Sequence, residues 1–102
     1  MARGTSRAPV GGRRARRALD SARVLDEVVD GQLAFVARLP EEHRRRACDF
    51  LAELVMLAQA YRHYAAGWID RRELDRRGMG TMRRLAEIRR RRRSAAQFTE
   101  RD

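Results

Sequence analysis

Apolar residues recur every three or four positions from Leu19 to Ile88, and no segment alternates at every second residue. The first spacing puts side chains on one face of a helix; the second, which a half-buried strand needs, is missing. A chain patterned this way buries its apolar groups by packing helix on helix. The expected fold is all-α: a small hairpin-like bundle of three helices, or four if the last is broken.

The spacing predicts a first helix over 19–39, through Leu19, Ala22, Leu25, Val29, Leu33 (or Gln32), Val36 and Leu39. Asp20 and Ser21 suit its start. Gly31 either weakens it, by about 1 kcal/mol, or lets another helix come close. Pro40 ends this helix and begins the second, where Glu41 and Glu42 suit the positive end of the dipole. The second helix is expected to reach about Ala66, near the full span of a small domain at about 1.5 Å per residue. Ala47, Phe50, Leu51, Leu54, Leu57 and Ala58 form its main face, continued by Tyr61 and Ala65. Cys48, Ala52, Val55, Met56 and Ala60 extend the apolar coat well past half the circumference. Two neighbouring helices cannot cover so wide a coat, so Ala52, Val55, Met56 and Ala60 become candidate protein contacts.

Gly67 fits the left-handed position past a helix end, with Trp68 placed for the accompanying apolar contact. Asp70 and Glu73 have capping-box spacing, so a third helix is expected from Asp70. Leu74, Met82, Leu85 and Ile88 continue its face. Gly78 and Gly80 predict a kink, or a break that Thr81 recaps.

Charge divides the chain differently. Residues 1–17 hold six Arg and no acid, residues 18–88 balance Arg against Asp and Glu, and residues 89–102 hold six Arg against two acids, which yields the net +10. The expected organisation is a disordered Arg-rich arm at 1–17, a helical domain at 18–93 and a polar tail at 94–102. Such cationic ends seek an anionic polymer, and nucleic acid is the commonest one. All 24 basic residues are Arg. Arg suits phosphate through its planar fork. Complete exclusion of Lys, beside abundant Ala and Gly, reads first as the codon bias of a GC-rich bacterial genome.

About 70 residues can pack, so the core is small and gains from a partner or from self-association. Cys48 is the only cysteine, which excludes an internal disulfide and points to a reducing compartment, the bacterial cytoplasm. No apolar run approaches the roughly 18 residues of a membrane span, no apolar stretch follows the basic start as a secretory signal would, and Pro9, Gly11 and Gly12 spoil an amphipathic transit peptide. No membrane and no small-molecule partner is expected.

Catalytic chemistry finds no residues to carry it. His43 and His63, about 30 Å apart along one helix, make no zinc spacing with Cys48. Asp49 and Glu53 could pair as carboxylates, but Arg45, four residues before Asp49, makes a surface charge ladder the simpler reading. Gly78-Met79-Gly80 lacks the strand and third glycine of a phosphate loop. Cys48 reads as a small packed side chain. No nucleophile, base and oxyanion site assemble. The expectation is a non-enzyme with no cofactor and no metal.

Arginine clusters remain. Arg13, Arg14, Arg16 and Arg17 close the N-terminal arm. Arg44 and Arg45 open the second helix. On the third, Arg71 and Arg72 lead to Arg76, Arg83 and Arg84, and Arg72, Arg76, Arg83 and Arg90 form one stripe at steps of four and seven. Arg89, Arg90, Arg91, Arg92 and Arg93 then run together without an acid. These are the candidate contacts to nucleic-acid backbone. Tyr61, Tyr64 and Trp68 lie beside Arg71 and could stack bases, although core packing is the favoured reading. No base-reading motif is present, so contact to RNA or single-stranded DNA is expected to be independent of sequence.

In size, helicity, the wide apolar coat around Ala52, Val55, Met56 and Ala60, and the Arg stripes, residues 19–93 resemble the helical small subunits of multi-subunit (class 1) CRISPR effector ribonucleoproteins. The resemblance implies a non-catalytic structural subunit in antiviral defence, with copies stacked head to tail along a groove that holds nucleic acid. The long cationic N-terminus departs from that pattern and leaves a chromosome- or plasmid-associated role open. The turn from Gly67 to Asp70 is also similar to one in gas-vesicle accessory proteins, whose acidic balance this chain lacks. The alternative is a helical protein–protein adaptor whose basic ends dock on acidic partners.

Overall fold

The computed structural model describes the backbone of residues 11–100 and the side chains of residues 11–96. Three helices account for nearly all of them: α1 Gly12–Val36, α2 Glu41–Ala65 and α3 Arg71–Glu100. The fold is the expected small all-α bundle. α2 packs against α1 on one side and α3 on the other, and no close backbone approach joins α1 to α3 among the described residues. The radius of gyration is 17.3 Å, against about 13 Å for a compact domain of this length. α2 is therefore the spine of an open, elongated array.

Both connections are short and made by local chemistry. After Val36 the amides of Arg38 and Leu39 bond three residues back, to Phe35 and Val36. Pro40 stands at the N-cap in extended conformation and accepts the Arg44 amide at 2.8 Å. Gly67, at φ 80°, is the one described residue in the left-handed region. It closes α2 with both bonds of a Schellman motif, Gly67 N–H to Tyr64 O and Trp68 N–H to His63 O. Asp70 Oδ1 then accepts the Glu73 amide at 2.8 Å, the backbone half of the expected capping box.

Two apolar clusters hold the array. At one end Ala18 of α1 and Leu74 of α3 meet Ala60, Tyr64 and Ala65 of α2. Toward the other, Val29 and Val36 meet Leu51, Leu54 and Leu85. Each fully buried Leu or Val side chain contributes about 1.5–3 kcal/mol. Across the seams Arg62 binds Asp26, tying α2 to α1, and Arg84 binds Glu53, tying α3 to α2.

Several boundaries differ from the sequence reading. α1 begins at Gly12 rather than 19, so residues 12–17 of the expected arm are helical; residues 1–10 lie outside the described residues. The cause is small-residue packing: Ala15 and Ala18 sit against the Ala60–Tyr64 cluster, where close approach replaces bulk. α1 also ends at Val36, three residues early, because the chain must turn into Pro40. Nothing approaches the space where a Gly31 side chain would lie, so Gly31 serves no close helix contact. α3 runs unbroken through Gly78 and Gly80 and on through the expected tail to Glu100. Thr81 is buried mid-helix and is not a cap. Each glycine costs α3 about 1 kcal/mol, less than Leu74 and Leu85 contribute by burial on either side of the pair.

Candidate nucleic-acid interface

The arginines sort by whether a carboxylate holds them. Arg44 and Arg45 are bound by Glu41, Arg71 by Asp75, Arg76 and Arg77 by Glu73, Arg84 by Glu53, and Arg90 and Arg91 by Glu87. The pairs have electrostatic consequences. Hydrogen bonds from Arg76 and Arg77 hold the Glu73 carboxyl below its ordinary range, as those from Arg90 and Arg91 do for Glu87. Asp75 raises the Arg71 guanidinium, helped by the Tyr64 oxygen, and Glu73 raises Arg76. These side chains are already partly neutralised.

The remaining candidates have no carboxylate partner among the described residues. They are Arg13, Arg14, Arg16 and Arg17 on the first turns of α1, and Arg72, Arg83, Arg89, Arg92 and Arg93 on α3. The stripe Arg72–Arg76–Arg83–Arg90 is on one face as the spacing required, but only Arg72 and Arg83 on it are uncommitted. The run Arg89–Arg93 is not acid-free in three dimensions, since Glu87 reaches forward to two of its members.

Because α1 and α3 flank α2 without close backbone approach to each other among the described residues, a groove made of two successive pockets lies between them. Its floor is the α2 series His43, Ala47, Phe50, Leu54, Leu57 and Tyr61, at steps of three and four. At the end near the α2 N-terminus it is walled by Phe35 and Ile88, with Arg46, Arg89 and Arg92 on its rim. At the other end the walls are Ser21, Met79 and Met82, with Arg14, Arg17 and Arg83 on the rim. Of the partnerless arginines, Arg14, Arg17, Arg83, Arg89 and Arg92 line the groove and Arg13, Arg16, Arg72 and Arg93 do not, while those bound to Glu41, Glu53 and Glu87 also lie off it. Arg71, bound to Asp75, is the exception on the rim. The sequence reading did not find this groove. Its signals were the heptad-like series on α2 and the exposed Met79 and Met82 opposite it on α3.

The aromatic trio separates. Tyr64 is buried, Tyr61 is half-buried in the floor, and Trp68 is 71% exposed, its ring tilted 36° against His63 with centroids 5.0 Å apart. Trp68 does not close the core beneath the turn as expected, because the Schellman geometry turns it outward onto the last turn of α2. The expected contact surface on the back of α2 also divides. Ala52, Val55 and Met56 are exposed, whereas Ala60 is buried against Tyr64 and Leu74 and is not an interface residue. Cys48 is exposed rather than packed. Asp49 and Glu53 make neither expected arrangement: Arg45 turns to Glu41, and Glu53 is taken by Arg84.

Among the described residues, no three His, Cys, Asp or Glu side chains gather closely enough to hold a metal ion. No helix described is long and apolar enough to cross a membrane. No protein-family model, curated protein or solved structure matches the chain.

Proposed function

We propose that this protein is a non-catalytic structural subunit that binds nucleic-acid backbone without reading sequence. One observation carries the reading: folding leaves Arg13, Arg14, Arg16, Arg17, Arg72, Arg83, Arg89, Arg92 and Arg93 without a carboxylate among the described residues. Structural ion pairing consumes arginines, and these are surplus to it. A polyanion neutralises such a surplus and releases its own counterions on doing so. The sequence carries no recognised base-reading motif, which supports contact to phosphates of RNA or single-stranded DNA. The exposed Val55–Met56 back of α2 supports incorporation beside other subunits, copies of itself included. A place like that of class 1 CRISPR small subunits, in a bacterial cytoplasm, fits these features, and its antiviral role is part of the same proposal.

Fluorescence anisotropy with a labelled single strand and a labelled duplex tests this. Each phosphate neutralised should add about 0.7–0.9 to the slope of log K against log salt. Binding that ignores salt, or that strongly prefers one sequence, overturns the reading.

A further inference from the structure

The groove has a chemistry that backbone binding does not use. Phe35, Met79 and Met82 are 61%, 62% and 62% exposed, and they border a floor of Phe50, Leu54 and Leu57. Phosphates do not cover such surface; an apolar partner does. From His43 to Tyr61 the floor runs about 27 Å at 1.5 Å per residue, the length of a helix of about 18 residues. The rim at both ends is cationic: Arg46, Arg89 and Arg92 near the α2 N-terminus, Arg14, Arg17 and Arg83 at the far end. None of these six is bound to a carboxylate among the described residues.

We propose that the groove between α1 and α3 receives an amphipathic helix of a partner protein, apolar on its inward stripe and acidic along both flanks, which completes a four-helix bundle. Helix-in-groove binding uses this combination: anchors every three or four residues for affinity, flanking charge for orientation and selection. Charge complementarity settles the occupant. A second copy would bring another +10 chain and set one arginine rim against another. Five of the arginines assigned to nucleic acid stand on this rim and would be shared with the partner helix, whereas Arg13, Arg16, Arg72 and Arg93 lie away from the groove and serve nucleic acid alone.

The test uses the full chain and a synthetic helix of about 20 residues, with Leu at heptad a and d positions and Glu at e and g, beside a counterpart carrying Lys in place of Glu. The Glu peptide should bind, gain helicity on binding, and bind at least about tenfold more tightly than the Lys peptide at low salt. Phe35→Ser and Met82→Ser, at exposed positions that leave the core intact, should each weaken the Glu peptide about tenfold and leave a labelled uridine oligonucleotide unaffected. Arg13→Gln with Arg16→Gln should do the reverse.

Equal binding of the two peptides, or no binding, overturns the proposal. Loss of oligonucleotide binding in Phe35→Ser and Met82→Ser places a nucleic-acid strand in the groove instead. A dimer in sedimentation that those substitutions dissociate makes a second copy the occupant. If the oligonucleotide fails to bind while the Glu peptide binds, backbone recognition falls and the groove assignment stands.

Discussion

Arg84 Nε donates to Glu53 Oε1 at 2.7 Å, joining α3 to α2, and the guanidinium reaches that carboxylate by lying back across Gly80. A Cβ at Gly80 would stand 3.2 Å from an Arg84 terminal nitrogen. The glycine thus has a packing use at the seam. Glu53 is the more enclosed partner, with its side chain 19% exposed. Glu53→Ala and Arg84→Ala should each cost stability, and their double-mutant cycle should give a coupling of about 0.5–1 kcal/mol. Urea unfolding measures it; additive effects would mean that the pair contributes nothing beyond each side chain's own packing.

The glycines should respond in opposite ways. Nothing lies within 4 Å of a Cβ built at Gly78, and Gly78 is mid-helix. Gly78→Ala should stabilise by about 0.5–1 kcal/mol, which moves the thermal midpoint by several degrees at about 4–8 °C per kcal/mol. Gly67 has φ 80°, and Gly67→Ala should cost about 1–2 kcal/mol. Melts of the two variants on opposite sides of the parent check both.

Acid should weaken the bundle through Glu73 and Glu87. Both carboxyls are depressed in the folded state by their arginines. A depressed folded value means a contribution fully present above the unfolded value, about 4.3 for Glu, and lost as pH falls through the lower folded one. The thermal midpoint should therefore drop below about pH 4.3. Glu73→Gln with Glu87→Gln should shrink that drop; an unchanged acid limb would place the titrating groups elsewhere.

Substitutions on the two sides of α2 should separate core from surface. Ala60 is 2% exposed and Met56 59%. Ala60→Glu buries an unpaired charge and should cost about 3 kcal/mol or more. Met56→Glu should leave the midpoint of the isolated protein nearly unchanged and reduce its incorporation into assemblies. Circular dichroism melts and size-exclusion profiles distinguish the two.

The fold class was legible because a period of three to four residues is a local property of the chain, and so were the second turn and its cap, which rest on Gly67, Trp68, Asp70 and Glu73 alone. The start of α1 was not legible. Ala15 and Ala18 carry little apolar signal by themselves, and their value comes from the close approach of Ala60 and Ala65 on another helix. The continuity of α3 was hidden for a similar reason: two glycines penalise the helix locally, and packing on α2 outweighs them from a distance. Which arginines are spent was a tertiary matter too. Arg84 and Arg62 are committed by acids 31 and 36 residues away, and no pattern of neighbours announces that. The sequence by itself determined helices, their turns and a cationic surplus. Only the tertiary structure decided which of that surplus lines a common groove, because the groove exists only once α1 and α3 flank α2 without close approach of their backbones.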